Sequence, residues 1–345
     1  MDLIPAIDQM GGFEEILFRG EARKTNSIQL EVKGIISENA SKRAPDEYRL
    51  RFWERKYPAS RRRMVHRSED IRLKRTAGRG RRIQLTGKSL KIAVQDNKRQ
   101  PEELFVQGAS TGLATLRKLG EDYSASGVEA LARVFEQLRL FEIDVEKVRS
   151  PTFYHETTSL AQDAGNLASY LLYIQSEEPY IFERIVDDVR FVLPGFGGFE
   201  FVEQGGSSRS VTISIKEKHL HGLTPLARAS YGTIRAIALF AMLNDPAPPK
   251  LTCLEEIDHG LHPHALDRIV DRLREASSRT QIILATHSPA LVNRLNIDEL
   301  IIVERDETNG STRAFRPNRK LIRSLQDETG YELGELWFSG TLGGV

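Results

Sequence analysis

A strand–helix–strand pattern in the last third of the chain constrains the fold more than any other feature. Residues 251–254 and 281–285 are short apolar runs, and residues 264–276 between them have the spacing of a helix. Parallel strands need a long crossover connection, and a helix of this length provides one. The pattern therefore predicts an α/β unit in which helices pack on the faces of a parallel sheet.

The first hundred residues predict a different kind of sheet. Residues 27–32, 48–53 and 90–94 alternate apolar and polar side chains at period two, and polar or glycine-containing turns separate them. This alternation is typical of an antiparallel meander. Residues 109–140 then show helical spacing, which predicts an apolar helix face made of Leu113, Leu116, Leu119, Leu131, Val134 and Leu138.

Later segments complete the predicted organisation. A further helix is expected to begin near Ala161, strands are expected at 199–202 and 211–215, and the apolar run 299–303 with the turn at Asn309 and Gly310 indicates a closing hairpin or edge. We predict a mixed α/β fold in three regions. These are an antiparallel N-terminal lobe (1–104), a helical insert (105–195) and a C-terminal lobe (196–345).

Composition narrows the class of protein. The chain has 345 residues, of which 40% are hydrophobic and 28% are charged, so it can bury a sizeable core. Its single cysteine, Cys253, excludes an internal disulfide framework. No apolar run approaches the roughly 18 residues of a membrane span, and the N-terminus lacks the pattern of a signal peptide. We therefore expect a cytoplasmic protein without a membrane segment.

Charge is unevenly distributed along the chain. Residues 1–100 contain 24 Lys and Arg against 13 Asp and Glu, although the net charge is only +1. A dense basic patch could follow a nucleic-acid backbone, but it contains few interleaved aromatic residues, so a solvated strand surface is the favoured interpretation. The patch consists of Arg61, Arg62, Arg63, Arg67, Arg72, Lys74, Arg75, Arg79, Arg81 and Arg82.

Two adjacent acids, Glu255 and Glu256, follow the first buried run. Ligands of α/β sheets bind at the carboxyl ends of the strands, so we expect both side chains at that edge. In phosphoryl transfer one acid holds Mg²⁺ or its waters, and another orients and helps to deprotonate the attacking water. We assign Glu255 to the metal and Glu256 to the water. A solvated acidic turn is the alternative.

Two further motifs lie on either side of the acid pair. The sequence Ser-Tyr-Gly-Thr at 230–233 precedes a predicted helix, where hydroxyl and backbone N–H groups can bind an anion. Ser230, Gly232 and Thr233 are therefore candidate ligand-binding residues, and a simple helix N-cap is the alternative. His287 follows the second buried run in Ala-Thr-His-Ser-Pro and could donate to a γ-phosphate. Its alternative is a histidine tied to a backbone carbonyl.

Two other patterns suggest sites but fit them poorly. His259, His262 and His264 lie in one loop without a spaced cysteine partner, so a zinc site is disfavoured. Residues 86–89, Thr-Gly-Lys-Ser, end like a phosphate-binding loop, but Arg82 occupies the position of its first glycine. Strand-like residues flank this segment on both sides, which favours a hairpin turn.

Together the three motifs resemble the ABC-type ATPase heads of the RecF/SMC-like group, and most closely the stand-alone bacterial predicted AAA-family ATPases. The matching residues are 230–233, the Walker B segment 255–263 and the Thr-His-Ser-Pro switch at 286–289, and Gly-Gly-Phe-Glu-Glu from Gly11 also matches. The resemblance implies ATP and Mg²⁺ as ligands and a homodimer around nucleotide. Ser230, Gly232 and Thr233 would then act in trans on the partner's site.

One family motif has no match. The pattern Gly-x-x-x-x-Gly-Lys-Ser/Thr, called Walker A, occurs nowhere in the sequence. Without its backbone N–H groups and lysine, we expect weaker ATP affinity and exposed apolar neighbours of a missing central strand. Two functions stay open: an ATPase head in DNA repair, chromosome maintenance or defence, and a degenerate interaction module without turnover.

Overall fold

The protein is described by a computed structural model. The structure describes residues 3–20, 26–57, 62–74, 81–86, 89–93, 102–105, 112–117, 125–153, 157–204 and 210–343. The chain divides into two compact units. The first unit contains Met1–Glu136 and Asp306–Ser311, and the second contains Gln137–Arg305 and Thr312–Val345.

The first unit is built on the predicted meander. Among the residues that the structure describes, six antiparallel strands pair in sequence order, and four helices accompany them. The strands are β1 (Ser27–Gly34), β2 (Asp46–Tyr57), β3 (Arg62–Leu73), β4 (Arg81–Thr86), β5 (Ser89–Ala93) and β6 (Glu102–Phe105). The helices are α1 (Leu3–Gln9), α2 (Phe13–Ile16), α3 (Gly112–Leu116) and α4 (Ala125–Glu136).

A buried carboxylate ties this sheet to the helices beside it. Glu69 on β3 is 1% exposed, accepts from the Tyr48 hydroxyl at 3.0 Å and from the Gly112 N–H at 2.8 Å, and pairs with Arg67 at 2.8 Å. Burial raises the pKa of Glu69. Apolar residues of α3 and α4, including Leu116 and Leu131, also share a core with the sheet, and both helices belong to the first unit. The predicted insert 105–195 is thus divided between the units.

The second unit contains the predicted parallel sheet. Strand β12 (Leu251–Glu255) lies between β13 (Gln281–Ala285) and β7 (Leu138–Phe141), and both pairings are parallel. The prediction that Leu138 continues a helix face was wrong, because this residue begins β7. Its spacing from Leu131 and Val134 fits a helix, and the four-residue strand is too short to show its own period.

Helices and a second sheet enclose one face of this parallel sheet. The antiparallel strands are β8 (Thr152–Phe153), β9 (Phe196–Gln204), β10 (Ser210–Glu217) and β11 (Leu223–Pro225), with β10 in the middle. The helices are α5 (Val145–Arg149), α6 (Leu167–Glu177), α7 (Pro179–Val192), α8 (Tyr231–Leu243) and α9 (Pro263–Ala276). They bury a continuous apolar core that includes Leu254.

The end of the chain forms a smaller cluster. The predicted hairpin is confirmed as β14 (Ile302–Arg305) and β15 (Thr312–Phe315). It accompanies α10 (Pro289–Val292), α11 (Arg319–Thr329) and α12 (Leu333–Phe338), whose apolar residues share a third core. Within the described ranges, no helix is both long and apolar enough to cross a bilayer.

The opposite face of the parallel sheet is exposed and apolar. Leu140 on β7 is 44% exposed and Ile283 on β13 is 49% exposed, and in the described part of the chain β13 pairs with β12 alone. Strands with such sequences are normally covered on both faces. This face is thus less covered than is usual for parallel strands, and the expectation about the neighbours of a missing central strand stays a prediction.

Candidate functional site

The two acids stand at the carboxyl edge of the parallel sheet. Glu255 is the last residue of β12 and pairs with Ala285 of β13, and its side chain is exposed. Glu256 follows, and its N–H donates to the Ala285 carbonyl at 2.9 Å. Its backbone is left-handed, with φ +45°, which is uncommon for a residue with a side chain. The chain therefore turns sharply at Glu256, directly after the strand ends.

The segment that follows β13 lies beside these acids. We call residues 286–288 the switch loop. The Thr286 hydroxyl accepts from the Ser288 N–H at 3.0 Å and lies 3.4 Å from a carboxylate oxygen of Asp258. His287 between them is exposed, and its ring centre lies 6.2 Å from that of Trp337. The histidine is thus available to solvent at the same sheet edge as Glu255.

The Ser-Tyr-Gly-Thr motif forms the start of α8, and we call residues 230–233 the signature loop. Ser230 is the N-cap: its Oγ accepts from the Thr233 N–H at 3.1 Å and lies 2.8 Å from the Thr233 hydroxyl. Both hydroxyls therefore take part in capping, as the alternative interpretation expects. Ser230 nevertheless stays exposed at the positive end of a 13-residue helix.

The signature loop is packed against the loop that carries Glu256, which we call the acid loop (256–262). A Cβ atom on Gly232 would lie 2.0 Å from the carbonyl oxygen of Gly260. Gly260 itself has φ +75°, which favours glycine. A second link comes from Arg235, which donates to the Glu256 carbonyl at 2.8 Å. The sequence places these loops 20 residues apart or more, and the fold joins them.

Replacing Gly232 with Ala is expected to separate the two loops. The new methyl group would overlap a backbone oxygen that cannot turn aside, so we expect a destabilisation of about 1–3 kcal/mol in urea unfolding. Gly195→Ala is the control, because a Cβ there meets nothing within 4 Å. Equal stability of the two variants would show that the close approach is not required.

The acids also border a cavity of about 150 Å³. Its lining includes Glu142, Arg235, Glu255, Glu256 and His259. The His259 Nε2 atom lies 3.4 Å from a Glu256 carboxylate oxygen; the His259 side chain is exposed and that of Glu256 is half-buried. A cavity with carboxylates and cations on its walls can hold water and a charged ligand.

The residues at this sheet edge suit a Mg²⁺ ion that arrives with bound phosphates better than a metal ion held permanently by protein side chains. Among the described residues, no group of three His, Cys, Asp or Glu side chains is arranged to hold a metal ion. His259, His262 and His264 therefore do not form such a group either. Mg²⁺ usually keeps several waters and binds through one or two carboxylates together with substrate phosphates. An exposed Glu255 suits that mode, in which the ion would arrive with its phosphates.

Within the described residues, most arginines of the basic patch form ion pairs with acidic side chains. Arg63 pairs with Glu14 and Glu54, Arg72 pairs with Glu47, and Arg82 pairs with Asp70 at 2.6 Å. Arg67 is buried with Glu69. Arg61, Arg75 and Arg79 lie outside the described residues. The paired arginines support the interpretation of a solvated strand surface, and binding of nucleic acid stays a hypothesis.

The Thr-Gly-Lys-Ser segment joins two antiparallel strands. Thr86 at the end of β4 pairs with Ser89 at the start of β5. Gly87 and Lys88 between them lie outside the described residues. The hairpin interpretation is therefore consistent with the strands on either side, and no helix follows the segment as it would in a phosphate-binding loop.

Sequence reasoning assigned no role to Arg235, Gly260 or Asp258. Arg235 carried a usable signal, because it is a charged residue within the apolar helix 234–243. Gly260 and Asp258 carried none, because their contacts depend on how loops approach each other in space.

Solved structures with a similar arrangement of elements include three SMC heads. The SMC head domain from Thermotoga maritima is 16% identical over 81% of this chain and 78% of its own, with a TM-score of 0.32. An Smc head bound to the C-terminal domain of ScpA from Pyrococcus furiosus is 13% identical over 85% of this chain and 83% of its own, with a TM-score of 0.35. An SmcHead bound to the C-winged helix domain of ScpA is 13% identical over 82% of this chain and 79% of its own, with a TM-score of 0.39.

The chain also matches a family of sequences. No curated protein matches it. A family model described as "AAA domain, putative AbiEii toxin, Type IV TA system" matches residues 50–293, well over half of the chain. This match confirms the resemblance to ABC-type AAA ATPases that the motifs indicated, and it includes the signature loop, the acid loop and the switch loop. The chain belongs to this family of AAA domains.

Proposed function

We propose that this protein is an ATP-hydrolysing head that closes as a dimer around nucleotide. One observation carries the proposal: the acid pair and the switch histidine leave adjacent parallel strands at the same edge, and the signature loop is joined to that edge through Gly232 and Arg235. Edges of this kind are where α/β sheets bind their ligands.

Each residue has a distinct role in this proposal. Glu255 would hold Mg²⁺, which neutralises charge on the phosphates when it is bound. The Glu256 carboxylate orients the attacking water and accepts its proton, and His287 donates a hydrogen bond to the γ-phosphate. Glu255 and His287 are exposed and Glu256 is half-buried, which leaves all three side chains accessible to a ligand from solvent.

The dimer is what the family resemblance implies, and the exposed signature loop supports it. Ser230 is exposed at the N-terminus of α8, where its hydroxyl and the helix N–H groups favour an anion. Ser230, Gly232 and Thr233 of one subunit would then contact nucleotide held by Glu255, Glu256 and His287 of the other. DNA repair, chromosome maintenance or defence against foreign DNA is the proposed setting, as the resemblance implies.

A second candidate is an interaction module without turnover. The observation that favours it is the missing Gly-x-x-x-x-Gly-Lys-Ser/Thr pattern, since that loop supplies most of the charge stabilisation for β- and γ-phosphates. Release of phosphate from Mg-ATP separates the candidates. Hydrolysis that depends on Glu256 supports the ATPase, and its absence supports the module.

A further inference from the structure

Arg235 is a buried cation in a helix whose other buried residues are apolar. It lies in α8 two residues after the signature loop, one turn after Tyr231, and is 9% exposed. Its Nη1 atom donates to the Tyr231 hydroxyl at 2.9 Å, and its Nη2 atom donates to the Glu256 carbonyl at 2.8 Å. Its guanidinium carbon lies 5.4 Å from the centre of the Tyr231 ring. Because burying an unpaired cation is costly, these partners fix where the guanidinium can lie.

The hydrogen bond from Arg235 falls on the most constrained residue of the acid loop. Glu256 has φ +45°, a left-handed conformation that is unfavourable for a residue with a side chain. Its N–H donates to the Ala285 carbonyl of β13, and its own carbonyl accepts from Arg235 of α8 at 2.8 Å and from the His259 N–H at 3.3 Å. Both peptide groups of this residue are thus fixed, and with them the direction in which its carboxylate leaves the chain.

We propose that Arg235 is a positioning residue that couples the signature loop to the carboxylate of Glu256 in the same chain. The proposal rests on the proposed function, because it deepens the role of Glu256 in hydrolysis. A movement of the first turn of α8 carries Tyr231 and Arg235 with it, and so moves the Glu256 carbonyl. Contact between an anion and the signature loop therefore changes the orientation of the acid.

The test compares Arg235→Met with Arg228→Met in the full chain. Methionine keeps the apolar packing of the long side chain but cannot donate, and Arg228 is an exposed arginine near the same loop. We expect kcat for ATP to fall about 10²-fold in Arg235→Met with KM little changed, because binding groups are intact and the acid is misplaced. Arg228→Met should match the unmodified protein in both constants.

Amide hydrogen exchange provides a readout that does not need hydrolysis. We expect faster exchange over residues 256–261 in Arg235→Met, and partial restoration in Arg235→Lys, which keeps the charge but offers no planar fork. If the unmodified protein does not hydrolyse ATP, the proposed function fails. Amide hydrogen exchange over residues 256–261 then tests by itself whether Arg235 positions the acid loop. Unchanged exchange in this segment for both variants, or unchanged kcat in an active enzyme, would overturn the proposal.

Discussion

Glu256→Gln is expected to reduce ATP hydrolysis by about 10²–10⁴-fold while nucleotide binding persists. Glutamine has the shape of glutamate and can still hydrogen-bond a water, but it cannot accept a proton from it. The backbone of residue 256 should be unaffected, because its N–H and carbonyl contacts are made by Ala285 and Arg235. The loss would therefore appear in kcat, measured as phosphate release at saturating Mg-ATP.

The control for this variant is Glu142→Gln. Glu142 borders the same cavity and is exposed, but it lies at the end of β7 and has no role in the proposed chemistry. It should hydrolyse ATP at the unmodified rate. In gel filtration with Mg-ATP, Glu256→Gln should accumulate as a dimer, because nucleotide that is not hydrolysed keeps the heads closed. Unchanged hydrolysis by Glu256→Gln would remove the residue from the mechanism.

Asp188→Asn is expected to destabilise the second unit by about 3–5 kcal/mol. Asp188 on α7 is fully buried and accepts from the Arg268 Nε at 2.7 Å, the Arg272 Nε at 2.7 Å and the Asn244 Nδ2 at 3.0 Å. Removing the charge leaves two arginines without their shared anion, and a broken buried pair costs far more than an exposed one. Urea unfolding measures the difference.

The neighbouring residue provides a matched control. Asp187 on the same helix pairs with Arg190 at 2.7 Å, but its side chain is 62% exposed. Asp187→Asn should cost at most about 1 kcal/mol, because solvent screens such a pair. If both variants unfold at the same urea concentration, the Asp188 cluster does not hold α7 and α9 together.

Regular elements with long apolar patterns could be predicted from sequence. Strands β12 and β13 and helices α8 and α9 lie where their periodicity indicates, because those segments are buried and their side chains repeat the period of the element. The helix expected from Ala161 begins six residues later. Asn166 turns back to accept from the Ala161 N–H at 2.7 Å, and Ala164 adopts φ +57°, so the intervening residues form a turn.

In the candidate site, too, some features could be predicted from sequence and others could not. Glu255, Glu256 and His287 could be placed at one sheet edge because each directly follows a recognisable strand. The link from Arg235 to Glu256 could not, since a hydrogen bond to a backbone carbonyl leaves no trace in the identity of the accepting residue. The approach of Gly232 to Gly260 depends likewise on the packing of two loops. The sequence thus indicates where the candidate residues lie in the sheet, and the fold shows how the loops that carry them are joined.

Calorimetric titration with Mg-ATP tests the central claim most directly. The titration uses the 345-residue chain beside the same chain extended by any in-frame residues encoded upstream of Met1. An ATP-binding head predicts saturable binding by at least one of them, and binding confined to the extended chain would mean that the missing phosphate-binding loop lies upstream. Absence of binding by both would contradict an ATPase function and leave the interaction module.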